Sequence, residues 1–221
     1  MNTYQGEIQT AISLISISVR TATKSGGVDD IVFLAASNQQ KNKIAQEMIN
    51  IGIDKAKGKT DKTIARAIKT SWFSDAKTVK DSQALILIAV YGKRPFGANC
   101  GGCGFRNCAE FKAHIYSKKY TLVMGPFCIF KIWDLGIAVS SAAKTASMLN
   151  VDNRIMYRIG IACEKIKIFN KGLSQKDITN RISPILGLPL SVSGKNIYFD
   201  RLDKLQAAKV LTDYYHKKNR N

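Results

Sequence analysis

The chain has 221 residues, 45% of them hydrophobic, enough to bury a sizeable core and unlike a disordered or membrane-embedded protein. No apolar stretch is long enough to span a bilayer and the N-terminus lacks the pattern of a signal peptide, so one domain over residues 1–221, in the cytoplasm, is expected. Its 34 Lys and Arg against 16 Asp and Glu give a net charge of +18, which directs attention to anionic partners.

Ile8, Ala11, Ile12, Ile15 and Val19 recur at helical steps and predict a helix over 7–19, closed by the polar, glycine-bearing connection Arg20 to Gly27. The apolar run Ile31 to Ala35 predicts a buried strand, and Ile44, Met48, Ile49 and Ile53 predict a helix over 40–57. Residues 58–82 are mixed and are expected to be helical in pieces. The strongest strand signal is the near-continuous apolar run Ala84 to Tyr91. It leads into the loop Gly92-Lys93-Arg94-Pro95-Phe96-Gly97-Ala98, where a sheet-anchored chain is free to carry binding groups.

That loop delivers Asn99-Cys100-Gly101-Gly102-Cys103-Gly104-Phe105-Arg106-Asn107-Cys108, and Cys128 follows twenty residues later. Cys-x2-Cys-x4-Cys-x19-Cys is the ligand count of a tetrahedral four-thiolate site, either an iron–sulfur cluster or structural zinc. In a reducing compartment such thiols favour metal over disulfide. A short helix over 109–117 is expected between the ligand groups. Cys128 then opens a long helix reaching about Leu149, and a ligand there meets the positive end of the helix macrodipole. The small residues Gly136, Ala138, Ser140, Ala142, Ala143 and Ala146 imply burial, centrally or across a dimer interface.

Beyond it, the alternation of Ile155, Tyr157, Ile159, Ile161 and Cys163 predicts a strand over 154–163, with Cys163 a small core side chain. A short helical piece is expected near 174–185, a turn-bearing segment over 186–196, and a terminal helix over 209–221 fraying into a basic tail.

Spacing separates the two metal readings. Structural zinc uses paired knuckles, whereas three close cysteines with a remote fourth is the habit of iron–sulfur loops, which favours a [4Fe-4S] cluster over zinc. Phe105, Phe111, Phe127 and Phe130 are candidates for its apolar shell, and Arg106, Lys112 and Lys131 for counter-charges that raise its potential. His114 and His216 are the only histidines; there is no His-Glu-x-x-His, Gly-x-Ser-x-Gly or Walker motif. Lys195 beside Gly194 offers a phosphate contact, although spacing alone reads as a turn. The densest basic stretch, Lys55 to Lys62, has no interleaved aromatics and reads as a solvated helix end rather than a nucleic-acid footprint. A positive face that steers an acidic redox protein fits the cysteines better.

The segments Asn99 to Phe105, Cys128 to Val139, Asn150 to Tyr157 and Ser193 to Arg201 closely resemble a prokaryotic family of ferredoxin-domain-containing proteins, across nearly the whole chain. That resemblance implies Cys100, Cys103, Cys108 and Cys128 as [4Fe-4S] ligands. The order of elements and the loop Arg20-Thr21-Ala22 are also similar to FMN-binding nitroreductases. This second resemblance nominates Arg20, Lys24 and Lys195 for FMN, although Thr23 to Asp29 replaces the nitroreductase motif Pro-Ser-x-x-Asn-x-Gln. It implies an α+β fold, a mixed or antiparallel sheet flanked by helices, with a cysteine-rich subdomain inserted at 92–128 and a homodimer formed through the small-residue helix. The expected function is electron transfer through the cluster, with a flavin-dependent oxidoreductase activity as its extension. The alternative is a zinc-stabilised module with a basic nucleic-acid-binding surface.

Overall fold

Ala84-Leu85-Ile86-Leu87-Ile88-Ala89-Val90 holds no polar side chain, so a strand made from it must be covered on both faces. The computed structural model describes residues 5–114, 123, 125–172, 180–194, 196–198 and 202–218, and it covers this strand in that way. The strands are β1 (Ile31–Ala35), β2 (Ala84–Val90), β3 (Asp152–Asn153) and β4 (Ile185–Ser191), ordered β1-β2-β4-β3 with every pairing antiparallel. Ile88 stands opposite Phe33 on one side and Leu186 on the other, so β2 has no free edge.

The period-2 alternation of β2 sorts its side chains into two cores. Ile86, Ile88 and Val90 pack beneath α1 (Gln5–Thr21) and α5 (Ile129–Met148). Leu85, Leu87 and Ala89 pack beneath α2 (Asn38–Ala56), α3 (Lys62–Asp81), α6 (Tyr157–Lys165) and α7 (Leu202–Lys218). The fold is therefore α+β, an antiparallel sheet between two helical layers. The short α4 (Cys108–His114) belongs to neither layer and packs through Phe111 against Cys128, Cys103, Phe105 and Phe130. Among the described residues no helix is long and apolar enough to cross a membrane.

Residues 62–81 form one helix rather than pieces. Asp61 accepts from the Thr63 and Ile64 amides and so satisfies two orphan donors, and Ile64, Ile68, Trp72, Ala76 and Val79 make a continuous buried stripe. Asp75 shares that buried face and is neutralised by Arg158 at 2.8 Å and by Lys204. At α2, Ser37 and Gln40 form a reciprocal capping box.

Two expected elements change type. Residues 154–163 do not form a strand: Tyr157–Lys165 is helical, and the extended backbone here is Asp152–Asn153 together with Met156, which bridges to Gly187. The cause is a run of five successive buried residues: Ile159 to Cys163 all lie between β4 and α2, so the spacing of Ile159, Ile161 and Cys163 imitates one face of a strand, while the polar face of α6 is confined to its ends at Arg158, Glu164 and Lys165. Conversely, the expected turn segment 186–196 contains β4, a central strand. Gly187 and Pro189 look like breakers, yet Gly187 is where Ile159 of α6 presses against the strand, and Pro189 lies opposite Leu85. Residues 174–179 of the expected helical piece lie outside the described residues, and Ile185 at its end opens β4. The terminal helix begins earlier than expected, at Leu202, and residues 219–221 of its basic tail lie outside the described residues, as does Ser117 at the expected end of α4.

Candidate metal centre

The cysteine-bearing segment is tied at its root. Gly92 follows β2, its amide donates to the Ser183 carbonyl at 3.0 Å, and its own carbonyl accepts from the Cys128 amide at 2.8 Å. No side chain fits there: a Cβ on Gly92 would stand 2.5 Å from the Ser183 oxygen and 2.9 Å from the Phe127 ring. The two ends of the segment are thus joined by a main-chain hydrogen bond beside the sheet.

Within the loop, polar side chains substitute for regular structure. Asn99, at φ 50°, accepts from the Cys108 amide through Oδ1 at 2.9 Å, bracing the first thiol region against the third. The Gly104 amide donates to the Gly101 carbonyl at 2.9 Å, a turn that presents Cys103 and is flanked by positive φ at Gly101 and Gly104, which glycine adopts without strain. Gly102 inside that turn lies against α5, where a Cβ would meet Ile129 at 2.7 Å. Asn107 accepts from the Glu110 amide at 2.8 Å and starts α4. The Glu110 carboxylate accepts from the Arg106 main chain at 2.8 Å, and this contact above all lowers its pKa from the ordinary carboxylate value.

All four predicted ligands line one pocket of about 290 Å³, counting its open mouth. Its other walls are largely apolar, with Pro95, Phe96, Phe111, Ile129 and Phe130 among them. Exposure is graded: Cys128 is buried, Cys103 and Cys108 are half-buried, Cys100 is exposed, and all four are free thiols. Cys128 sits at the N-cap of α5, and its Sγ accepts from the Phe96 amide at 3.4 Å. Among the described residues no three His, Cys, Asp or Glu side chains form a group at metal-ligand spacing; what the four thiols share is the pocket. The donor set suits a thiophilic group, since four sulfurs from two chain segments face one cavity with an apolar lining and an amide donor to one of them. Cys163 lies elsewhere, fully buried in the core beneath the opposite face of the sheet, where burial pushes its thiol pKa up.

The other nominated residues are more scattered. Arg106 pairs with Glu110 on the surface, and Lys112 is exposed. Lys131 is buried, 2.9 Å from Asp30 and 3.9 Å from Asp134, with its ammonium 5.9 Å from the centre of the Phe96 ring. Arg20 donates to Asp29 and to the Ile31 carbonyl, each at 2.9 Å. The Lys24 ammonium donates to the carbonyls of Val19, Arg20 and Ala22, where it closes the C-terminus of α1. Lys195 lies outside the described residues. His114 is exposed and stacks on Phe105 at 5.4 Å.

Sequence reasoning missed Phe96, Asp30 and Asp134. Phe96 lines the pocket, packs its ring on Phe130 at 4.6 Å, and reaches the turn Ser25–Gly27 that follows α1. Asp134 holds that turn from the other side, accepting from the Ser25 amide at 2.8 Å and its hydroxyl at 2.7 Å. The available signal was position: Phe96 stands four residues before Cys100, and Asp134 follows Cys128 by six, on the α5 face that also carries Lys131.

Two family models match the chain in adjacent stretches. Residues 97–123 match one described as "Putative Fe-S cluster", which includes Cys100, Cys103 and Cys108. Residues 124–201 match one described as "Uncharacterized protein containing a ferredoxin domain", which includes Cys128. Among solved structures the chain is similar to a nitroreductase with bound FMN from Desulfitobacterium hafniense, at 14% identity and TM-score 0.49 over 88% of this chain and 84% of that one. It is also similar to nitroreductase A from Vibrio parahaemolyticus, at 11% identity and TM-score 0.46 over 98% and 77%. A protein of Archaeoglobus fulgidus is 40% identical over 197 residues, 89% of this chain and 93% of that one. With that relative and the matched ferredoxin-domain model, the chain belongs to the family of proteins containing a ferredoxin domain.

Proposed function

We propose that Cys100, Cys103, Cys108 and Cys128 hold a [4Fe-4S] cluster and that the protein passes single electrons through it. The observation that carries this reading is the convergence of four free thiols, from a loop and from the start of α5, on one apolar-walled pocket. Three close ligands and one remote ligand favour a cluster over a single zinc ion, and the phenylalanine walls limit water at the cluster sulfurs. Exposed Cys100 marks the edge from which an electron enters or leaves. The net charge of +18 favours an acidic redox protein as the partner. Ile17 on α1 and Ile137 and Trp133 on α5 are exposed apolar side chains, which favours a second copy of this chain against that layer.

A flavin-dependent oxidoreductase activity is a second reading. It is supported by the contact between the turn Ser25–Gly27 and Phe96, which brings the end of α1, with Arg20 and Lys24, next to the thiol pocket. Lys24 is committed to helix carbonyls, so within this reading Arg20 is the more available contact to FMN.

Anaerobic purification followed by iron, acid-labile sulfide, zinc and flavin analysis tests these readings together. Iron and sulfide in equal amounts, with a paramagnetic signal on reduction by dithionite, is the expected result. Stoichiometric zinc without sulfide overturns it and, joined to salt-sensitive retention on nucleic acid, supports the zinc-stabilised binding module instead. A flavin absorption spectrum after gentle purification supports the second reading, and its absence after incubation with FMN rejects it.

A further inference from the structure

Phe96, in the cysteine loop, touches three separate parts of the thiol environment. Its main-chain N–H donates to Cys128 Sγ at 3.4 Å. Its ring packs on Phe130, with centroids 4.6 Å apart and planes at 33°, and lies under the Lys131 ammonium at 5.9 Å. The far edge of the ring fills the space above Gly26: a Cβ built there would stand 2.9 Å from Cε2 and 3.1 Å from Cζ. Gly26 is held in place because Ser25 donates twice to Asp134, one turn of α5 beyond Lys131. The ring is wedged between a fixed turn and the first turn of α5, so its backbone cannot shift without disturbing one of them.

We infer that Phe96 is a positioning residue for the metal centre, and that Gly26, by admitting the Phe96 ring, sets the hydrogen bond to Cys128 and with it the reduction potential of the bound cluster. The inference rests on the cluster reading above. One-electron reduction makes and breaks no bond; it adds one negative charge, taken from an external reductant, to a group whose sulfurs carry much of that charge. An N–H donor to a ligand sulfur stabilises the reduced form more than the oxidised form, so a weaker Phe96 to Cys128 bond makes the potential more negative.

Two neighbouring glycines separate this effect from general strain. Gly26 and Gly27 both have positive φ, 61° and 70°, so an alanine at either strains the same turn. Only at Gly26 does the new Cβ reach Phe96; at Gly27 it meets nothing within 4 Å. Dithionite titrations monitored by electron paramagnetic resonance on wild type, Gly26→Ala, Gly27→Ala, Phe96→Ala and the double variant Gly26→Ala/Phe96→Ala provide the test, with iron and sulfide content measured on each. The expected result is a more negative potential in Gly26→Ala, the wild-type potential in Gly27→Ala, and no further shift on adding Gly26→Ala to Phe96→Ala. Equal shifts at both glycines, or no shift at Gly26 in a protein that retains its cluster, overturn the inference and leave the cluster reading standing. Wild type that carries no sulfide overturns both. If Gly26→Ala fails to fold, Phe96→Leu keeps the main-chain donor but loses the flat ring contacts; an unchanged potential there overturns the inference.

Discussion

The Lys93 ammonium lies 3.2 Å from the Pro126 carbonyl oxygen, and it faces the Phe127 ring at 4.8 Å on a side chain that is almost wholly buried. This contact closes the root of the cysteine segment beside the bond from Cys128 to Gly92. Burial, aided by the positive charge of Arg181 and opposed by the negative charge of Glu164, lowers the Lys93 pKa from the ordinary lysine value of 10.5 to about 8. Between those values the unfolded chain binds more protons at this lysine than the folded chain does, so folded stability rises with pH through the window. Relative to Lys93→Met, wild type should therefore gain about 1–2 kcal/mol as the pH is raised from 8 to 10, after allowance for residual solvation. Urea unfolding of both proteins across that range measures it, and a pH-independent difference contradicts the assignment.

Gly160 of α6 and the Ile185 carbonyl of β4 leave no room between them for a methyl group. Because the obstruction is the main chain of β4, which is paired with β2, relief requires α6 to move off the sheet. Gly160→Ala is expected to cost about 3 kcal/mol or more. Gly136, on the exposed face of α5 with nothing within 4 Å of its Cβ position, is the opposite case. There alanine should add about 0.5–1 kcal/mol by reducing backbone entropy in the unfolded chain. Denaturant midpoints of the two variants should move in opposite directions.

The Lys24 ammonium takes up three carbonyls at the end of α1, at 2.6, 2.8 and 3.1 Å. Lys24→Met leaves those acceptors to water and removes a cation from the negative end of the helix macrodipole, so a loss of about 1–2 kcal/mol is expected. Arg20→Met, whose side chain is half exposed, should cost less than 1 kcal/mol. If FMN binds, equilibrium titration should show the larger affinity loss in Arg20→Met. The reverse ordering would return Lys24 to the ligand contact that its sequence position suggested.

What the sequence disclosed followed from how each element is buried. β2 was legible because both of its faces are covered, and α1, α2 and α5 because each has one dry face. The thiol site was legible for a different reason: ligand spacing is local, and only Cys128 had to be recruited from a distance. α6 was misread because Ile159 to Cys163 are five successive buried residues, and β4 because Gly187 and Pro189 serve tertiary packing. Phe96 could not be identified as a contact of Gly26, since seventy residues separate them and nothing in either segment encodes the approach. The same holds for Lys131 with Asp30, a buried pair whose partners lie on α5 and just before β1.

Cys128 and Cys163 are both buried cysteines, and they should respond to substitution in opposite ways. Cys128 shares the pocket with three other thiols and accepts an amide hydrogen bond, whereas Cys163 touches only the apolar core between β4 and α2. Cys128→Ala removes one of four ligands, so bound iron and sulfide should be lost while the sheet and its two helical layers remain folded. Cys163→Ala removes only a sulfur's worth of packing, which should lower stability by about 1–2 kcal/mol and leave the iron content at the wild-type level. Iron and sulfide analysis beside circular dichroism on both variants distinguishes the roles. Iron loss in Cys163→Ala with retention in Cys128→Ala contradicts the ligand assignment, because Cys163 lies in the core between β4 and α2 while the other four cysteines line the pocket.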